Sequence, residues 1–312
     1  MSGSIAFLFP GQGSQTVGML EGFTSNSTVE AVMGRASVAL GMDLAELIAK
    51  GPAETLGLTI HTQPVMLACG VAFFEAYRAA GGRMPTLAAG HSLGEYAALT
   101  ASGVFTLEDA VRIVRYRAEQ MQAAVPVGTG SMAAILGLPA DLIDATCRSI
   151  TRPDAVVEAV NFNAPDQTVI AGHRAAVESA CAQLKAVGAK RALVLAVSAP
   201  FHSSLLEPAA KALDLRLAEI NLQSPQFEVI HNVDASARLR PEEIRHALSM
   251  QAMRPVRWVQ TIEAMVARGV SIMVECGPGK ALSGMVRRIA PAVAVFNISD
   301  QASLEATLEA TR

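Results

Sequence analysis

Short apolar runs alternate along this chain with longer stretches whose apolar positions recur at helical spacing. The runs 5–9, 87–89, 227–232 and 271–275 predict strands, and 28–40, 63–80, 107–125, 205–220 and 258–268 predict helices. Parallel strands need long crossovers that helices supply, so this alternation points to an α/β architecture with a mainly parallel sheet. Between residues 131 and 198 the order changes to strand 132–136, helix 140–148, strands 156–162 and 168–171, helix 174–187 and strand 191–197. That βαββαβ order is ferredoxin-like. We therefore expect a small subdomain, 126–198, inserted into a large domain made of 1–125 and 199–312. Pro126, Gly128, Gly130 and Pro200 suit the two crossings.

Composition narrows the class. Of 312 residues 51% are apolar and 17% charged, with a formal net charge of −3, which suits a globular chain and not a disordered or nucleic-acid-binding one. No apolar run approaches the ~20 residues of a membrane span. The apolar stretch 5–9 follows no positive region, so it reads as a first strand and not as a signal peptide. Cys69, Cys147, Cys181 and Cys276 lie far apart without metal-ligand spacing. Reduced, buried thiols, no metal and a cytoplasmic protein are the expectation.

The chemistry centres on Gly90-His91-Ser92-Leu93-Gly94, which follows a strand and precedes a helix-forming stretch. This G-x-S-x-G pattern is a nucleophile elbow, a sharp strand-to-helix turn that presents a serine at its apex, and it makes the large domain α/β-hydrolase-like. A serine nucleophile needs a base, usually histidine. His91 neighbours Ser92 on the turn and points elsewhere, while His173 and His246 read as surface residues and His61 stands at a helix entry. His202 and His231 both end apolar strands, and spacing does not choose between them. Loop placement after the last subdomain strand favours His202. Gly11-Gln12-Gly13 follows the first strand but lacks the third glycine of a dinucleotide fingerprint, Thr16 standing there. It suits a loop that brings backbone amides beside the elbow. Arg112, Arg115 and Arg117 share one helix, and by spacing alone all three read as solvated or ion-paired.

Taken together, several segments resemble the malonyl-coenzyme A:acyl carrier protein transacylases of bacterial fatty acid synthesis. They are Phe9 to Gln15, His61-Thr62-Gln63-Pro64, Gly90 to Tyr96, Arg117 with Met121-Gln122, Asn161-Phe162-Asn163, Val169 to His173, Pro200 to Ser203, Gln251 with Pro255-Val256-Arg257-Trp258, and Glu275 to Leu282. Met250, Met253 and Cys276 depart from the pattern without removing a group the chemistry needs. The resemblance implies Ser92 as nucleophile, His202 as base held by the main-chain carbonyl of Gln251, and the amides of Gln12 and Leu93 as oxyanion hole. It implies Arg117 as reader of the malonyl carboxylate, against the solvated reading, and Phe201 as a bulky residue disfavouring an α-methyl branch. It also implies malonyl-coenzyme A as substrate, no permanently bound cofactor, and a transient, acidic acyl carrier protein partner. Arg287 and Arg288 are candidates for its docking. A monomer without membrane or nucleic-acid partner is expected. The competing reading is a serine hydrolase with Asp166 as its acid.

Overall fold

A computed structural model describes residues 3–197 and 199–312. Ser198, where the insertion was expected to end, lies outside the described residues, as do the first two residues of the N-terminal stretch.

Five parallel strands form the main sheet in the order β7-β2-β1-β8-β9. They are β1 (Ser4–Phe9), β2 (Leu87–Gly90), β7 (Glu228–Ile230), β8 (Val270–Cys276) and β9 (Ala294–Ile298). The central strand β1 is apolar on both faces and buried from Ile5 onward, as a strand covered on both sides requires. Helix Thr59–Ala79 is buried along almost its whole length and packs Phe73, Phe74 and Tyr77 into the larger core around Phe7 and Phe9.

The second sheet is antiparallel, in the order β4-β5-β3-β6: β3 (Gly130–Leu136), β4 (Val157–Ala164), β5 (Gln167–His173) and β6 (Arg191–Val194). Helices Ala140–Ile150 and Arg174–Ala186 cover one face and enclose a separate core around Ile135, Ile143, Ile170 and Leu184. This is the ferredoxin-like order read from the sequence.

Several bounds differ from the sequence reading. β6 stops at Val194 instead of 197, and β7 is only three residues long. The expected helix over 205–220 is a 3-10 turn, Ser204–Leu206, followed by helix Glu207–Leu217, with Pro208 in its first turn. Edge strand β9, helix Leu44–Lys50 and helix Gln301–Ala310 were not anticipated. Asp43 caps the first of these helices, and a capping box of Asp300 and Ser303 opens the second.

Candidate active site

The register of the main sheet sets Phe9 opposite Gly90, so the loops leaving β1 and β2 emerge side by side at the carboxyl edge. Their approach is too close for side chains. A Cβ on Gly94 would lie 1.9 Å from the carbonyl oxygen of Phe9, and one on Gly90 would lie 1.8 Å from the carbonyl carbon of Gly94. Glycine at both positions lets the chain turn directly from β2 into helix Gly94–Ala101. Ser92 sits at the apex with φ 53°. Asn232, just beyond β7, pins the turn from behind: its Oδ1 accepts from the Ser92 amide at 2.7 Å and its Nδ2 donates to the Gly90 carbonyl at 2.7 Å.

Ser92 Oγ lies 2.7 Å from His202 Nε2, and His202 Nδ1 lies 2.8 Å from the main-chain oxygen of Gln251. The carbonyl can only accept, so Nδ1 carries the proton and Nε2 offers its lone pair to the serine hydroxyl. His202 is buried and also has a positive φ, 66°, in a tight turn closed by Ser203 N–H to the Pro200 carbonyl. Burial, with the Arg117 charge second, pushes its pKa down to about 3, against the pull of the Gln251 carbonyl. The ring is therefore neutral at ordinary pH and competent to take a proton.

Arg117, on helix Leu107–Ala123, is 1% exposed, which removes it from the solvated class in which its spacing had placed it. Its Nη1 donates to Gln63 Oε1 (2.9 Å), and its Nη2 donates to Gln251 Oε1 (2.9 Å) and Ser92 Oγ (3.2 Å). Its guanidinium carbon lies 5.5 Å from the centre of the Tyr96 ring. Arg112 and Arg115 remain at the surface, hydrogen-bonded to the Ala39 carbonyl and paired with Glu119 respectively.

These groups open onto a cavity of about 230 Å³ between the two sheets, lined among others by Gln12, Ser92, Arg117, Asn161, Phe201 and His202. Gln12 lies beside the elbow, and the amides of Gln12 and Leu93 donate to no partner among the described residues. Phe201 is buried and borders the cavity.

The other candidates make their contacts away from the Ser92 hydroxyl, although His91 also borders the cavity. His231 Nδ1 donates to Glu95 Oε1 at 2.7 Å and does not line the cavity. His91 packs edge-on against Trp258 and reaches Asn163 Oδ1 at 2.7 Å. Asp166 is an exposed surface residue paired with Arg288, not with a histidine, which removes the triad acid that a hydrolase reading needs. Arg288 is thereby engaged, donating also to Gln167 Oε1 at 2.7 Å, while Arg287 is exposed near Glu275. Sequence reasoning missed the buried polar shell of Gln63, Glu95, Asn232 and the Gln251 side chain. Gln63, Glu95 and Gln251 stood within the segments that carried the resemblance, but scattered amides and one carboxylate announce no shared role by residue type. All four cysteines are free and buried. Among the described residues no cluster of three or more metal-ligating side chains forms, and no helix is long and apolar enough to cross a membrane.

Comparison with known proteins shows the family. The family described as acyl transferase domain matches residues 6–298. Malonyl CoA-acyl carrier protein transacylase of Escherichia coli K12 is 47% identical over 305 residues, covering 97% of this chain and 98% of that protein. The crystal structure of an acyl-carrier-protein S-malonyltransferase from Burkholderia pseudomallei 1710b superposes with a TM-score of 0.96 at 50% identity, covering 98% of this chain and 99% of that one. A malonyl-transacylase solved in complex with its type II polyketide-synthase acyl carrier protein gives a TM-score of 0.96 at 45% identity, with 98% and 99% coverage.

Proposed function

The chain belongs to the malonyl CoA-acyl carrier protein transacylases, within the acyl transferase domain family, and on that premise we propose that it moves a malonyl group from coenzyme A to the phosphopantetheine thiol of an acyl carrier protein. The transfer supplies extender units for fatty acid synthesis. The observation that carries this reading is the convergence of His202 Nε2 and Arg117 Nη2 on one serine oxygen, at 2.7 and 3.2 Å.

The reaction is ping-pong. His202 takes the Ser92 proton as Oγ attacks the thioester carbon, and the oxygen that becomes negative is held by the amides of Gln12 and Leu93. Collapse breaks the C–S bond, and the imidazolium returns its proton to the departing thiolate of coenzyme A. The carrier thiol then repeats the sequence in reverse on the malonyl-serine ester. The Gln251 carbonyl fixes the His202 tautomer, a lesser stabiliser of imidazolium than a carboxylate but sufficient for orientation. Arg117 pairs its guanidinium with the malonyl carboxylate, the two-point recognition that planar group favours. Phe201 narrows the space beside the acyl chain, which at about 1–3 kcal/mol per excluded methyl makes selectivity against methylmalonyl groups finite.

We assign 126–198 to an inserted subdomain that forms one wall of the cleft and the remainder to the catalytic domain. The enzyme works as a monomer, with the carrier protein as a transient partner and no resident cofactor. Intact-mass measurement on protein mixed with malonyl-coenzyme A tests the reading. A malonyl adduct at Ser92 that persists until carrier protein is added is expected, whereas rapid release of free malonate would mean hydrolysis.

A further inference from the structure

Gln251 reaches the catalytic pair twice. Its main-chain oxygen holds His202, and its side-chain amide stands between two buried opposite charges that do not touch. Oε1 accepts from Arg117 Nη2 at 2.9 Å, while Nε2 donates to Glu95 Oε2 and to the Ser92 carbonyl, each at 2.9 Å. Glu95 is 0% exposed and also accepts from His231 Nδ1 (2.7 Å) and the Asn232 amide (2.9 Å). Three donors converging on one buried carboxyl group suit the acceptor-only carboxylate. Among the described residues Arg117 donates to neutral acceptors alone: Gln63, Gln251 and Ser92. Glu95 is the carboxylate it reaches through a single amide.

We propose that Glu95 is a positioning residue that acts through the Gln251 carboxamide as the counter-charge of Arg117, and so limits how firmly the cleft grips a carboxylate-bearing acyl group. The inference rests on the acyl-transfer reading above. Glu95 turns the amide so that its oxygen faces the guanidinium. The reversed amide would set NH₂ against Arg117 and the oxygen against Glu95. Because the three groups are buried, the field of Glu95 at Arg117 is little screened by salt. A malonyl carboxylate entering the cavity therefore meets a guanidinium already partly balanced. Its hold on the acyl group is the same before and during attack at the thioester carbon, so extra grip lowers KM without raising kcat.

Glu95→Gln tests this. Gln at 95 keeps an acceptor for Asn232 and Gln251, and its NH₂ can donate to His231 Nδ1 once that ring moves its proton to Nε2, so the substitution removes charge with little change of shape. Serine malonylation and acetylation are followed by intact mass over ranges of malonyl- and acetyl-coenzyme A. The malonyl KM is expected to fall about tenfold, with kcat not raised and the acetyl KM within about twofold of wild type. A malonyl KM that stays, rises, or moves in step with the acetyl KM overturns the proposal. Should Glu95→Gln fail to fold, Glu95→Met removes the same charge and leaves Gln251, His202 and Arg117 unchanged. The same malonyl-over-acetyl shift is then expected, and equal shifts overturn it. Wild-type protein that forms no malonyl-serine would sink the acyl-transfer reading itself, a result visible before any variant is made.

Discussion

Ser92 and His202 both hold backbone conformations that side chains with a Cβ avoid, at φ 53° and 66°. Each costs on the order of 1–2 kcal/mol, and each aims a functional atom back across a tight turn at the other. Removing the hydroxyl alone leaves the elbow strain in place; removing Cβ as well releases it. Ser92→Gly should therefore be more stable than Ser92→Ala by about 1 kcal/mol in denaturant unfolding, though both are inactive. Equal stability would mean that the turn is not strained at this residue. His202 gives a second test at the same scale. Its reactive form is neutral, and burial and Arg117 hold its pKa at about 3, so labelling of Ser92 by an uncharged fluorophosphonate should stay level through neutral and mildly acidic pH and fall only as pH drops through about 3. Replacing Arg117 with Met removes the repelling charge, so imidazolium becomes easier to form and the limb moves to higher pH. Burial, the larger cause, remains, and the limb stays below the ordinary imidazole value of about 6.5. The same variant should lose malonyl transfer and keep acetyl transfer, because only the former brings a carboxylate.

At the scale of elements, the site depends on how closely β1, β2 and the helix after the elbow approach. Gly94→Ala would drive a methyl into the Phe9 carbonyl at the junction of all three. A destabilisation of about 1–3 kcal/mol, with Ser92 labelling lost alongside, is expected from thermal unfolding and the fluorophosphonate assay. Unchanged labelling would show that the elbow tolerates displacement. This part of the molecule was legible in the sequence because each constraint is local: the glycines flank the serine, and the strand and helix signals stand on either side. The ferredoxin-like sheet was legible for the same reason, its order following from element type alone. β9 was not. Ala294–Ile298 is a short edge strand that runs from exposed Ala294 to buried Ile298 without a clear apolar alternation, and its pairing with β8 is a tertiary fact. Nor could spacing separate buried Arg117 from exposed Arg112 and Arg115 on the same helix, since the packing partners Gln63 and Gln251 lie 54 and 134 positions away. The base was narrowed to two histidines by strand ends, and loop placement and the resemblance favoured His202; the positive-φ turn that aims its ring at Ser92 is announced by no residue type.

Over the whole molecule, the cavity lies between two sheets, and Met132, Val160, Val169 and Ala171 of the second sheet pack into the main core, so contacts that cross between the sheets bear on the width of the cleft. One such contact is the ion pair of Arg288, on helix Ala281–Ile289, with Asp166, in the turn between β4 and β5. Gln167, at the start of β5, gives the same guanidinium a second tie. Both charges are partly exposed, so the pair adds little to stability, within about 1 kcal/mol. Its consequence is functional: an arginine occupied by Asp166 is less available to an acidic carrier protein than Arg287 beside it. Asp166→Ala distinguishes the roles open to these residues. Formation of malonyl-serine should stay within about twofold, because His202 takes its orientation from the Gln251 carbonyl; a loss of about 10⁴-fold would instead make Asp166 the acid of a hydrolase-type triad. Discharge to carrier protein is the more informative half-reaction. If Arg288 belongs to the docking face, freeing it should lower the carrier-protein KM at low ionic strength, and the gain should fade as salt screens the added attraction. If docking rests on Arg287 alone, Asp166→Ala leaves that KM unchanged, whereas Arg287→Glu raises it with the loading step unaffected.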